Sequence, residues 1–120
     1  ADRYNEAFKK LPSIIIQKEI PESDTCRHLY VIRLDLEKLT CSRRQFFDAM
    51  SAERVQPQIH YVPVYWFPYY KELGYEKGIC PVAEEIYKSI MSIPIYPKMS
   101  DDDVKDVITA VKKVVGNYAK

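Results

Sequence analysis

Apolar positions recur along the 120-residue chain at two spacings, and the change from one to the other marks out helices and short strands. Ala1, Tyr4, Phe8 and Leu11 fall on one helical stripe, which predicts a helix over residues 1–11. Pro12 ends it, because proline lacks an N–H and restricts the residue before it. Ile14, Ile15 and Ile16 make a short β-branched run, and a polar stretch from Gln17 to Arg27 follows. His28 to Leu34 is rich in strand formers and predicts a strand covered on both faces or nearly so. Ser42 and Gln45 form a Ser-x-x-Gln capping box, so a helix starts there with Phe46, Phe47 and Met50 as its apolar stripe. Pro57 closes that segment, and Gln58 to Val62 reads as a further strand.

Pro81 is favoured at a first helical position and opens another helix, with Glu84 and Glu85 near the positive end of its dipole. Val82, Ile86 and Ile90 repeat there at i, i+4 and i+8. Ile93 and Ile95 suggest a short strand that Pro94 and Pro97 confine to an edge. The last helix has the clearest signals: Ser100 as its cap, Asp101 to Asp103 in its first turn, and Val104, Val107, Ile108 and Val111 toward a core. Lys112 and Lys113 would occupy its last turn, with Gly116 as its stop. Strands alternating with helices, without one long sheet, define a small α+β layer.

Composition narrows the function classes. Eighteen basic against seventeen acidic residues leave a net charge of +1, which argues against a general nucleic-acid binder. An apolar share of 47% and a charged share of 29% are those of an ordinary globular chain, not a disordered one. No apolar run approaches the roughly 18–20 residues of a membrane span. Three glycines leave almost no room for a phosphate-cradling loop, and neither GxGxxG nor GxxxxGK[ST] occurs. A self-contained nucleotide-dependent enzyme is therefore disfavoured. Cys26, Cys41 and Cys80 fit neither a disulfide framework nor a CxxC metal site, and read as reduced thiols of a cytoplasmic protein. The charged N-terminus has no apolar signal-peptide region and no initiating methionine. A chain that opens mid-helix reads as a piece of something larger.

Candidate chemistry gathers in one place. The stretch from Pro57 to Pro97 holds six of the eight prolines and seven of the ten tyrosines. Its centre, from His60 to Tyr70, carries one imidazole and no fixed charge, and Pro63 and Pro68 exclude a regular helix or central strand across it. A loop stiffened by proline and packed by rings holds its polar tips in fixed positions at low entropic cost. That suits a pocket wall or an interface, and it equally suits rings that merely pack a loop onto a core. His60 could act as a base or as a hydrogen-bond donor to a ligand, and His28 at a strand start has a weaker claim; each is also an ordinary structural histidine. Neither has a carboxylate or cysteine at metal-ligand spacing, so no metal is expected. Arg43 and Arg44 could bind phosphate, although arginine at a helix start opposes the dipole and a solvated face explains them as well. No nucleophile, base and oxyanion site assemble from these residues, so no catalytic residue is assigned.

The order of four motifs is more specific: His60-Tyr61-Val62-Pro63, Pro81-Val82-Ala83-Glu84, Ser92-Ile93-Pro94-Ile95-Tyr96-Pro97, and a final helix opened by Ser100 and acids. They resemble the C-terminal part of the DegT-type sugar-nucleotide aminotransferases, pyridoxal-phosphate (PLP) enzymes of the aspartate-aminotransferase fold. Ala1 to Ala7 looks like the linker helix that begins that family's small domain, and His28 to Arg33 is similar to its first long strand. The resemblance covers essentially the whole chain. It implies a C-terminal small domain over 1–120, with a small, mostly antiparallel sheet packed with helices. Residues 1–11 would be the linker helix and 57–97 the substrate-side loop, helix and strand.

The same resemblance implies that the Schiff-base lysine, the acid that pairs the pyridine nitrogen and the phosphate-binding residues lie in a large upstream domain absent from this chain. No cofactor is then expected to bind here, and the chain alone is expected to be inactive. Carried over residue by residue, His60 and Tyr61 become substrate-side contacts, Pro63 fixes the loop, and Tyr65 stands where the family often has histidine. The intact parent is implied to be a cytoplasmic homodimer using PLP, a nucleotide-linked keto-sugar and glutamate, with no nucleic-acid or membrane partner. Pro68 to Tyr75 is most similar to enzymes of the pseudaminic-acid pathway, which aminate C4 of a UDP-linked 4-keto-6-deoxy-N-acetylhexosamine. Two positions depart from the family pattern: Arg54 where glycine is common, and Phe67 where glutamine often precedes the Pro-Tyr-Tyr. A competing class is a stand-alone domain whose aromatic-proline loop binds a peptide or partner protein. Glycan binding is supported only by the tyrosine and tryptophan content.

Overall fold

A computed structural model describes all residues, 1–120, and is organised around three antiparallel strands in the order β1 (Ile14–Ile16), β2 (Tyr30–Leu34) and β3 (Ile90–Ile93). Ile15 pairs with Arg33, and Val31 with Ser92, so β2 is central. Because strand side chains alternate, Tyr30, Ile32 and Leu34 all enter the main core, while Val31 and Arg33 are half-buried on the other face. The core face is covered by α1 (Asp2–Phe8), α2 (Arg43–Ala52) and α5 (Asp101–Tyr118). On the opposite face lies α4 (Pro81–Ser89), whose Ser89 hydroxyl accepts from Arg33 Nε at 3.4 Å, while a five-residue helix α3 (Pro68–Glu72) packs on the turn that precedes it. The architecture is α+β, with an antiparallel sheet packed by helices.

Residue chemistry explains the core. Tyr4, Phe8 and Tyr30 form one ring cluster, with centroids 5.0 to 6.4 Å apart. Each buried phenol is satisfied: Tyr4 donates to the Pro94 carbonyl at 2.8 Å and Tyr30 to Asn5 Oδ1 at 2.6 Å. Burial is the main reason the Tyr30 hydroxyl is pushed up to about 12 and that of Tyr4 higher still. The predicted Ser42–Gln45 capping box forms, and the predicted Ser100 cap is completed into a second box by Asp103. The cysteines are free thiols, Cys41 buried and the other two exposed.

Several expectations change. The helix expected over residues 1–11 ends at Phe8, and Leu11 instead bonds back to the Phe8 carbonyl in a turn that leads to Pro12. Gln58 to Val62 is not a strand. Only Gln58 pairs with β3, exchanging two bonds with Ser92 at 2.8 and 2.9 Å. In the antiparallel register His60 would pair next with Ile90, whose N–H is already given to the Ile86 carbonyl at the end of α4. The third strand runs from Ile90 to Ile93, so Ile95 lies outside it and Ile90 belongs to strand rather than helix. The stripe expected on α4 is consequently left open, with Val82 72% and Ile86 36% exposed. Gly116 does not stop α5. Val114 and Val115 are buried and carry the helix on to Tyr118, whose carbonyl accepts from the Thr40 N–H at 2.8 Å. That packing outweighs the roughly 1 kcal/mol a mid-helix glycine costs.

Candidate functional site

Pro57 and the Gln58–Ser92 pairing deliver the chain to His60 at the β3 edge. The His60–Tyr61 peptide is cis. His60 Nδ1 lies 3.0 Å from Ser92 Oγ, a contact that fixes the ring and leaves Nε2 without a protein partner. The ring borders a cavity of about 150 Å³ together with His28, Gln56, Gln58 and Ser92. Tyr61 stacks at a tilt on His60, with centroids 4.6 Å apart, and is 68% exposed. Pro63 is half-buried and leads into one tight helical turn, Val64–Trp66, and Pro68 then opens α3. The two prolines thus permit only short helical turns.

Tyr65 sits differently. Its ring is buried, and its hydroxyl donates to Glu84 Oε1 at 2.8 Å rather than standing beside His60. The same Glu84 oxygen accepts from the Gly78 N–H at 2.6 Å, so one carboxylate ties the aromatic turn and the 74–78 loop to α4. The Gly78 N–H first, and the Tyr65 hydroxyl after it, hold the Glu84 carboxyl below the usual carboxylate range. Burial first, and the Glu84 bond second, push the Tyr65 phenol up to about 12. Trp66 completes this lobe, with the Lys77 ammonium 4.3 Å from its ring centroid and Tyr87 edge-on at 5.4 Å. Its place in the first turn predicts only a helix-dipole charge for Glu84, because its tyrosine partner lies nineteen residues upstream, beyond any local signal.

The largest concavity, about 460 Å³, lies between α2 and α4 and is lined by Arg43, Arg44, Lys88, Phe47, Trp66 and Tyr87 among others. Its cations are already engaged. Arg43 donates to the Tyr87 carbonyl, Arg44 pairs with Asp48 at 2.9 Å, and Lys88 with Glu85 at 3.1 Å. Arg43 and Arg44 therefore do not join His60, and they act as helix-surface groups. The three-Asp run opens α5 as an electrostatic cap, with Asp103 accepting from the Ser100 N–H at 2.8 Å.

The structure thus sets a small uncharged cavity beside the proline-stiffened loop at the edge of an antiparallel sheet. The chain is a member of the DegT/DnrJ/EryC1/StrS aminotransferase family, which matches residues 1–112. It is 38% identical over 117 residues to the spore coat polysaccharide biosynthesis protein SpsC of Bacillus subtilis, covering 96% of this chain and 30% of that protein. It is 32% identical over 122 residues to a UDP-4-amino-4,6-dideoxy-N-acetyl-beta-L-altrosamine transaminase of Campylobacter jejuni, covering 98% and 32%. Among solved structures, Spr1654 of Streptococcus pneumoniae, assigned as a sugar aminotransferase, superposes with a TM-score of 0.84 at 25% identity. That superposition covers 97% of this chain and 29% of Spr1654, which has been solved in apo, PLP and PMP forms. The chain thus spans about 30% of the length of the relatives it matches.

The residues present do not make a PLP site. Lysine borders two of the principal concavities, Lys88 in one and Lys18 in another, and neither lining contains a carboxylate to pair a pyridine nitrogen. No helix is long and apolar enough to cross a membrane.

Proposed function

We propose that this chain is the C-terminal small domain of a longer PLP-dependent aminotransferase that moves an amino group from glutamate to a nucleotide-linked keto-sugar. When bound by the upstream domain, the cofactor supplies the electron sink. The residues of this chain bind and orient. His60, fixed by Ser92, presents Nε2 to the sugar; the exposed Tyr61 phenol borders the same side; Pro63 sets the turn; and Tyr65 anchors the wall through Glu84. The single observation that carries this reading is the His60–Ser92 contact beside a small uncharged cavity, in a chain whose family match runs from residue 1 to 112. The parent would act in the cytoplasm as a homodimer, in amino-sugar or surface-polysaccharide synthesis. The Campylobacter relative favours a UDP-linked 4-keto-6-deoxy-N-acetylhexosamine as substrate, and the more similar Bacillus relative favours polysaccharide precursors as a wider class.

The test has two arms. The chain alone, incubated with PLP and borohydride, is expected to acquire no cofactor on any lysine and to transfer no amino group. In the full-length protein, His60→Ala is expected to weaken the keto-sugar half-reaction by about tenfold in kcat/KM, the scale of one well-placed hydrogen bond. The glutamate half-reaction should be little affected. Unchanged keto-sugar kinetics would remove His60 from the substrate wall.

A further inference from the structure

We infer that His28, Gln56 and Gln58 join His60 in one subsite for an uncharged sugar ring, so that the domain carries a second substrate-contacting histidine. This rests on the function proposed above and names which part of the substrate the cavity takes. The observation is the composition of its wall. His28, Gln56, Gln58, His60 and Ser92 line the 150 Å³ cavity together with apolar Leu29, Ile93, Pro94 and Ile95, which suits the C–H faces of a ring, and no Asp, Glu, Lys or Arg is among its lining residues. His28 stands two residues before β2, and the Val31–Ser92 pairing brings the start of that strand alongside the Gln58–Ser92 bridge. Two stretches far apart in sequence therefore place two imidazoles and two carboxamides around one hollow.

Their hydrogen-bonding capacity is unspent. The Gln58 backbone is committed to Ser92, but the side chains of His28, Gln56 and Gln58 make no hydrogen bond within the chain, and His60 uses only Nδ1. Imidazole and carboxamide each offer a donor and an acceptor, which matches the hydroxyl and acetamido groups of a hexose. A diphosphate would find no cation here, so the nucleotide end of the substrate belongs elsewhere. Size agrees. At roughly 30 Å³ per water the cavity holds about five waters, well short of the 300–1,000 Å³ of a site for a drug-sized ligand, and enough for one edge of a single ring.

The full-length protein tests this by kinetics and by chemical protection. His28→Leu is expected to raise KM for the keto-sugar about tenfold with kcat little changed, and His28→Gln, which restores donor and acceptor, should recover most of the loss. A purely structural histidine would lower stability or kcat and would not be rescued in this way. Independently, carbethoxylation mapped by mass spectrometry should be slowed several-fold at both His28 and His60 by the methyl glycoside of N-acetylglucosamine, and not by UMP. An unchanged KM in His28→Leu, or modification of His28 indifferent to the glycoside, overturns the inference. A full-length protein that aminates no nucleotide-linked keto-sugar overturns the proposed function instead, and the protection measurement still decides the subsite.

Discussion

Arg54 adopts φ of 63°, in the left-handed region, immediately after the helix that ends with Glu53 as its cap. Its N–H bonds the Ser51 carbonyl at 3.0 Å, the next N–H (Val55) bonds the Met50 carbonyl at 3.1 Å, and Val55 and Met50 are both in the core. That is a Schellman ending, in which the left-handed position favours glycine because a Cβ there costs roughly 1–2 kcal/mol. The Arg54 side chain makes no hydrogen bond or ion pair that would offset the strain, so the departure from the family's usual glycine is a local destabilisation and leaves the path of the chain unchanged. Arg54→Gly is expected to stabilise the fold by about 0.5–1 kcal/mol, net of the extra entropy glycine gives the unfolded chain. Urea unfolding measures it. Arg54→Ala, which keeps the Cβ, should give no such gain, and equal midpoints for the two variants would contradict the argument.

At the scale of elements, what the sequence made legible were features set by near neighbours. The Ser42–Gln45 capping box, the Ser100 cap, the central strand, and Tyr4 and Phe8 of α1 with Phe46 and Met50 of α2 are local patterns, and all form as expected. Gly116, the α4 stripe and the supposed strand at Gln58 misled for a common reason: packing or pairing with distant residues decided them. Glu84 is the sharpest case, because it sits in a helix start that explains it adequately, while its real partners are the Tyr65 hydroxyl and the Gly78 N–H. Of the candidate site, the sequence singles out His60, Tyr61, Pro63 and Tyr65; the structure sets His60 against Tyr61 but ties Tyr65 to Glu84, and the nearness of Gln56, Gln58 and Ser92 to His60 follows only from the β3 pairing.

The Glu84 bonds make a specific forecast for the aromatic lobe. Glu84→Ala or Tyr65→Phe should loosen residues 64–80 without unfolding the core, because neither Glu84 nor Tyr65 belongs to the core cluster. The single tryptophan reports it: Trp66 emission should move to the red, and cleavage by protease between Gly74 and Gly78 should quicken several-fold. The double variant should add little to Glu84→Ala, which already removes the Tyr65 contact together with that of the Gly78 N–H, and Tyr65→Phe alone should loosen the lobe less. The Glu84 carboxyl binds its proton less tightly in the folded chain, so its contribution is complete above its ordinary value of 4.5 and is lost as pH falls through the lowered one. For Tyr65 the sign is reversed: its contribution is complete below 10.0 and is lost as pH rises toward about 12. The Trp66 signal should therefore stay flat from pH 6 to 9, and a transition inside that window would show that another group holds the lobe.

Across the whole molecule, exposed apolar surface is distributed unevenly. Nine of the twelve exposed large apolar residues fall between Tyr61 and Ile86, on the lobe that the core does not reach. Scattered apolar side chains are normal on any surface, but a concentrated band marks a surface that another polypeptide covers. In the function proposed above, the upstream domain is the polypeptide that covers it. Left bare, the band should drive the 120-residue chain to self-associate, seen as a sedimentation coefficient that rises with concentration. The decisive variant is Phe67→Ser with Val82→Asp. Phe67 caps α3 without a side-chain bond, and Val82 lies in the first turn of α4. Serine at the first position supplies the missing cap, and aspartate at the second favours the helix dipole. Both changes thus remove apolar surface while improving local helix chemistry. The double variant is expected to sediment as a monomer with an unfolding midpoint no lower than that of the parent chain. A parent chain that stays monomeric at concentrations used for NMR, or a variant that still associates, would mean that the band is not a sticky surface and that the lobe needs no cover.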